Sequence, residues 1–478
     1  MQLGACSIAL FFFAACLPEC LVREPGLASQ DEDEIPRMHI RLLKLWEEAR
    51  SSYWFVPGLM VIGAILLSVI TVSLDGYYQV EVLRRLGFIW SGGAEGARGL
   101  LQTVAGSMIT VAGVTFSITM VALSFASSQF GSRLLRNFMA DTGNQIVLGT
   151  FVATFIYCLL VLRTVRSDGD AEFVPYISVT TGLLLALAGL IVLIYFFHHM
   201  ALSMQAPYVV SQVAADLFKT IERLFPAEAA ARAPKNHRAE ELPPVPDEQA
   251  RAIHSAVNGY IQAIDEDTLI RIASEEDLTI RLPVRPGDFV VEGQLLARIW
   301  PADRVETELA DRIQTNFITG KQRTHTQDVE FGIEQLVEVA ERSLSTGINA
   351  TFTAITCIDW LGAALAELFR RDFPSPHRYD EQGGLRLVFE RPLSLDGVID
   401  SAFNQIRQSA RDNVAVHIRL LEKIAVLRSM TQDPQILAVL EVHAGMIQSA
   451  SDSQPLQRED QNDVDERYRE ATEDRNLQ

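Results

Sequence analysis

Five cysteines in 478 residues, Cys6, Cys16, Cys20, Cys158 and Cys357, are too few and too irregularly spaced for a disulfide framework or a zinc site. Histidine offers no metal ligand set either. The nine are scattered, and the adjacent His198 and His199 would point about 100° apart on a helix, so they more readily mark the end of a membrane span. Positive charge is in deficit, with 41 Lys and Arg against 60 Asp and Glu. Residues 201–478 hold 29 against 45, which is 16 of the 19 net negative charges. Such a surface repels nucleic acid, and no basic stripe interrupts it, so no nucleic-acid partner is expected. Glu341, Asp359 and His377 stand at no spacing that general acid–base chemistry requires. No enzyme, cofactor or metal is expected.

Charge is also missing where the chain is most apolar. Four runs, Trp54 to Leu74, about Leu100 to Phe125, Ile146 to Leu162 and Phe173 to Phe197, reach or approach the ~20 residues that cross a bilayer core. None holds an Asp, Glu, Lys or Arg in its centre, which disfavours a proton-coupled transporter. The short loops do not orient the spans. Arg41, Lys44, Arg50, Arg133 and Arg136 on one side balance Arg84, Arg85, Arg98, Arg163 and Arg166 on the other. An even number of spans before a large, cysteine-poor domain is simplest with both termini cytoplasmic. Ahead of the first span, Ile8 to Leu17 has the length of a signal-peptide core, but no Lys or Arg precedes it. Met38 is read as the start and residues 1–37 as upstream sequence, with a genuine signal peptide as the alternative.

The second span carries a polar seam. In heptads from Thr103 to Gly131 the first and fourth positions read Thr103, Gly106, Thr110, Gly113, Ser117, Met120, Ser124, Ser127 and Gly131. Lipid tails solvate apolar side chains as well as a neighbouring helix does, so such a seam is expected to face protein or water. Two readings follow. Small residues let helices pack closely, with Gly106 and Gly113 as the points of approach. Alternatively copies of this helix line a pore, with Thr110, Ser117, Ser124 and Ser127 on the path and Arg133 and Arg136 charging its mouth.

Beyond residue 205 an amphipathic stretch, Ala206 to Phe225, reads as an interfacial connector, followed by a proline-rich linker to residue 249. From 250 to 303 the pattern is that of strands, with turns at Pro286-Gly287-Asp288 and Glu292-Gly293. This stretch resembles the barrel-sandwich hybrid of biotinyl and lipoyl carriers. Those carriers attach their cofactor through a lysine, and this chain has none between Lys235 and Lys321, so a spacer or assembly collar is expected instead. Residues 304–450 read as a helical domain, with helices at Asp328 to Leu344, Ala350 to Phe369 and Leu395 to Met430 and one strand at Leu385 to Phe389. The charged segment 451–478 reads as a disordered acidic tail.

The fold class expected is an α-helical integral membrane protein with four transmembrane helices. A cytoplasmic α+β part follows, containing a small barrel-sandwich-like β module and a helical domain. From Met38 to about Gln448 the chain resembles the bacterial membrane protein family of unknown function numbered 2254. The resemblance rests on Tyr53-Trp54-Phe55-Val56-Pro57, on Ser124-Phe125-Ala126-Ser127-Ser128-Gln129-Phe130, on Arg285-Pro286-Gly287-Asp288, and on Gln327-Asp328 with Phe331-Gly332. Gly347-Ile348-Asn349-Ala350-Thr351 departs from the acidic form common in that family. The resemblance implies a bacterial inner-membrane setting and carries no activity. Two functions are therefore weighed, an oligomeric ion pore and a non-conducting scaffold that recruits a cytoplasmic protein through its acidic domain. In both, the partners are the lipid bilayer and further copies of the chain.

Overall fold

The computed structural model describes residues 54–77, 92–131, 141–167, 173–225, 250–410 and 413–473. The signal-like segment, the proline-rich linker, Arg133 and Arg136 lie outside these residues. The four apolar runs are helices: α1 (Phe55–Tyr77), α2 (Ala94–Phe130), α3 (Thr142–Leu162) and α4 (Tyr176–Ser203). Each contains a window of high mean hydropathy, 2.5, 1.9, 2.2 and 2.5 in that order. The centre of the bundle is α3, which buries Val147, Phe151, Tyr157, Cys158 and Val161 among its neighbours. At Gly149 an added Cβ would lie 2.5 Å from Met60 Sδ and 3.1 Å from the Cα of Pro57, so the absence of a side chain sets how closely α1 crosses α3.

Backbone groups at helix ends need partners, most of all near lipid. Pro175, at the N-cap of α4, offers no side-chain cap. The cap comes from the last turn of α1. Asp75 Oδ1 accepts from the amide of Ile177 at 2.8 Å, and Oδ2 accepts from the Ser178 amide at 2.9 Å and its hydroxyl at 2.7 Å. The Tyr157 hydroxyl then donates to the Ser178 carbonyl at 3.0 Å and lies 3.0 Å from Thr71 Oγ1, tying α3 into the same cluster. At the opposite end of the bundle, Asp141 caps α3 through the Gly143 amide at 2.9 Å and meets His199 Nε2 of α4 at 2.6 Å. His199 stacks on Tyr195 and lies in the last turns of its span, as expected for the paired histidines.

The C-terminal region is mixed α and β. Its elements are α5 (Ala206–Leu224), β1 (Arg251–His254), β2 (Gly259–Ile264), α6 (Glu266–Glu275), β3 (Thr279–Leu282), β4 (Phe289–Val290), β5 (Leu295–Trp300), α7 (Thr307–Gln314), β6 (Phe317–Gly320), α8 (Val329–Leu344), α9 (Thr351–Leu368), β7 (His377–Tyr379), β8 (Leu385–Phe389), α10 (Leu395–Ala410), α11 (Val414–Ser429), α12 (Pro434–Asp452) and α13 (Arg458–Thr472). The strands form two open sheets, ordered β1-β5-β3-β8-β7 and β4-β2-β6. All pairings are antiparallel except β3 with β8. Strands β6, β7 and β8 lie beyond residue 303, so both sheets draw on the stretch that reads mainly as helical in the sequence; of the three, β8 stands where a strand is expected. Helices α5 and α8 to α13 share a second core.

Two expectations change here, and one holds. The apolar face of α5, with Val210, Val213, Leu217 and Ile221 buried, covers the helical core and not a lipid surface. Helix α9 is apolar enough to count as a fifth candidate span, at mean hydropathy 1.2. It packs as a core helix of the domain, where the sequence reading has it, with Ala354, Cys357, Ile358, Leu361 and Leu365 buried against other helices. The segment read as a disordered tail contains α13. Val464 and Ala471 are buried seven residues apart on one face with Tyr468 between them, and Arg467 reaches Glu422 of α11. A helix this polar is held by that narrow stripe, which composition alone conceals.

Replacing Asp75 with alanine strips three hydrogen bonds from the start of α4 and lowers stability by about 1–3 kcal/mol, because buried donors lose their acceptor. Asp75→Asn keeps an acceptor and loses less. Thermal unfolding in detergent measures this, and an unchanged midpoint for Asp75→Ala would show that α4 is capped by other groups.

Candidate functional site

Two places concentrate the residues that the sequence singles out. The first is the surface of α2. Its buried stripe is Ala97, Leu101, Ala105, Ala112, Thr115, Ala122 and Ala126, and the alanines let α3 lie close against it. The seam is a different face. Thr103, Gly106, Thr110, Gly113, Ser117, Met120 and Ser124 are all exposed, and Ser127 is half-buried. A Cβ built on Gly106 or Gly113 meets nothing within 4 Å. Close packing inside one chain is thus the work of the alanine stripe, and the seam stays open on the outside. The Thr110 hydroxyl donates to the Gly106 carbonyl at 2.8 Å, and Thr103 does the same to Gly99 at 2.8 Å, so these oxygens stand on the outer surface with their protons already bonded. At the end of the seam Gly131, at φ +104, is buried against Glu338 and Arg342 of α8.

The second place is the junction between the sheets and α8, which brings together two of the motifs that carry the family resemblance. The turn Arg285-Pro286-Gly287-Asp288 needs a left-handed residue, and Gly287 has φ +96. An added Cβ there would lie 2.5 Å from Asp328 Oδ2, so the turn rests directly on the first residue before α8. Asp328 caps that helix by accepting from the Phe331 amide at 3.0 Å. It also takes both arms of Arg323, Nε at 2.8 Å and Nη2 at 3.0 Å, while Arg323 Nη1 holds Glu334 at 2.8 Å. Gln327 behaves as a strand would. Its amide accepts from the Ile264 N–H at 2.8 Å and donates to the Ile264 carbonyl at 3.0 Å.

A cleft of about 310 Å³ opens beside this junction, lined in part by Glu266, Arg285, Glu330, Arg378 and Arg391. Each arginine has its own carboxylate: Arg285 with Glu330 at 2.6 Å, Arg378 with Glu266 at 2.8 Å, and Arg391 with Asp288 at 2.8 Å. Burial raises the Glu330 carboxyl above the usual range, against the pull of Arg285. Nearby, burial pushes His325 below the ordinary imidazole value, and its ring packs against Phe331 at 4.8 Å. With its charges matched internally, the junction acts as a latch that fixes the sheets to α8. The sequence picks out both motifs but gives no means of pairing them, since forty residues separate them. Glu341, Asp359 and His377 are not brought into one constellation: Glu341 accepts from Ser409, Asp359 pairs with Lys423, and His377 pairs with Val388 in the sheet.

Gly287→Ala is expected to cost about 1–3 kcal/mol through its left-handed φ and the Asp328 contact. Hydrogen exchange should speed up together in residues 286–291 and in the first turn of α8; faster exchange in the turn alone would mean that the latch does not couple the two. Acid should act through His325. With its folded pKa lowered, its contribution is complete above about 6.5 and is lost as pH falls below that value, because the unfolded chain then binds the proton more readily. The unfolding midpoint of wild type should therefore drop between pH 7 and 5 more steeply than that of His325→Gln, and parallel curves would contradict this.

Comparison with known proteins finds relatives over most of the chain. The chain is 32% identical over 361 residues to the uncharacterized protein Rv1290c of Mycobacterium tuberculosis and to the uncharacterized protein Mb1321c of Mycobacterium bovis, covering 74% of this chain and 68% of each relative. No solved structure matches it. The sequence pattern of the predicted membrane protein family DUF2254 matches residues 50–425, and the chain belongs to that family.

Proposed function

We propose that the protein is an oligomeric pore of the bacterial inner membrane, in which copies of α2 turn Thr110, Ser117, Ser124 and Ser127 toward a shared path. The observation that carries this reading is the open seam. Packing within the chain leaves the seam from Thr103 to Ser124 exposed, and lipid gains nothing from small and hydroxylated side chains. The lipid-facing surface has better candidates. Leu59, Ile62, Leu66 and Ile70 of α1 and Leu184, Leu187, Ile191 and Ile194 of α4 form exposed apolar belts, whereas α2 has the lowest mean hydropathy of the four consecutive spans. Gly106 and Gly113 leave room for neighbouring copies to approach.

In this reading the C-terminal region lies in the cytoplasm, where its sheets and helices form a collar that sets subunit spacing. Arg133 and Arg136 follow the seam in sequence, and two rings of arginine at a mouth attract anions by Coulomb force. The other function weighed, a scaffold that conducts nothing and recruits a cytoplasmic partner, shares the oligomer and differs in what the seam touches.

Ser117→Leu separates them. In a pore the larger side chain blocks the path, so conductance in planar bilayers falls to background while the oligomer keeps its mass. In a scaffold the same side chain forces apart backbones in contact, and the oligomer dissociates. Currents of wild-type size in the variant would remove Ser117 from any path.

A further inference from the structure

The C-terminal domain carries an exposed aromatic at an unusual level of the molecule. Phe352, in the first turn of α9, is 84% exposed. A lone exposed phenylalanine on a soluble surface is ordinary, and what distinguishes this one is its position. The turn between α8 and α9 borders a cavity of about 180 Å³ that is also lined by Phe125 and Gln129 near the end of α2 and by Met204 at the end of α4. Ile348 and Thr353 form the wall on the domain side. One turn further into the span, Val121 of α2 is 70% exposed, as a lipid-facing residue should be. Phe352 therefore belongs to a turn that lies against the ends of two candidate spanning helices.

Composition and backbone support the same placement. From Ser343 to Ile358 sixteen consecutive residues carry no Asp, Glu, Lys, Arg or His, although the region from 201 onward bears 16 net negative charges. An acidic surface is repelled by anionic headgroups, and an uncharged stretch such as this one can approach them. The turn is also well defined. The Asn349 amide donates to the Ser345 carbonyl at 2.9 Å, the Ala350 amide to that of Ser343 at 2.6 Å, and Asn413 Nδ2 to Thr351 Oγ1 at 2.8 Å. These bonds hold the start of α9 with Phe352 directed outward.

We infer that the α8–α9 turn is a membrane contact and that Phe352 lies in the boundary between headgroups and acyl chains of the adjacent leaflet. Aromatic rings favour that layer, where an apolar body finds hydrocarbon close to water. The domain is thereby seated on the bilayer as well as tethered to the spans. This inference is independent of whether α2 lines a pore.

The test uses the full chain in nanodiscs of phosphatidylethanolamine and phosphatidylglycerol. Cys6, Cys16 and Cys20 are replaced by serine, while Cys158 and Cys357 are buried and stay unlabelled. A nitroxide is then placed at Phe352→Cys and, as an aqueous reference, at Gln382→Cys on the exposed hairpin between β7 and β8. Spin relaxation should show position 352 meeting molecular oxygen more often than a water-soluble nickel chelate, with the reverse at 382. The same aqueous behaviour at 352 would overturn the inference. Shielding from both agents would overturn it too, by placing a second copy or another protein surface over the turn. Phe352→Trp, which keeps the aromatic anchor, should be quenched by lipids brominated on their chains, after subtraction of the wild-type signal. An undiminished signal would contradict the contact.

Discussion

One helix has to satisfy two solvents. At 37 residues α2 is about 55 Å long, well beyond a hydrocarbon core of about 30 Å. It therefore runs on from the spans until Ala126 and Phe130 enter the core shared by α5 and α8 to α13. The alanine stripe gives it one continuous packing face along both environments. Because a single rigid rod joins the membrane bundle to the domain, the face opposite the stripe cannot be turned inward without unpacking one of them. The open seam is a consequence of that constraint.

Polar groups near the membrane are placed by the same need for direction. Asp75 and Asp141 both sit at helix ends and commit their carboxylates to backbone amides and to a side chain of α4, at opposite ends of the bundle. They fasten helices where apolar packing, which lipid can imitate, gives little direction. In the domain, Asp328 has a related part: one carboxylate caps α8, receives Arg323 and supports the Gly287 turn. In the inferred membrane contact, the domain seated in this way presents its uncharged α8–α9 turn toward the bilayer.

Much of this is legible in the residues. The four spans stand out because uncharged apolar runs of such length seldom occur outside a bilayer, and α8 and α9 because their apolar residues recur at helical spacing. The strands from Tyr260 to Trp300 follow their turn residues. What escapes depends on distant partners. Strands β6 and β7 join sheets begun far upstream, and β8, expected as a strand at Leu385 to Phe389, finds its parallel partner β3 about a hundred residues away. The apolar side of α5 reads equally well against lipid or protein, and only its burial against α8 and α9 decides between them. Helix α13 looks too polar to fold because its two buried residues, Val464 and Ala471, are few and small. At the candidate site the seam residues are visible at once; that the seam from Thr103 to Ser124 stays exposed while its end at Gly131 is buried against α8 is not, because the alanine stripe looks equally suited to face outward.

The measurement closest to the central claim is direct imaging of the full protein in nanodiscs, for mass and symmetry. The account predicts a closed ring of three or more copies with the Thr110 to Ser127 face of α2 turned to the common axis. A monomer, or a dimer in which that face meets lipid, would contradict it and would leave the open seam without a function in conduction.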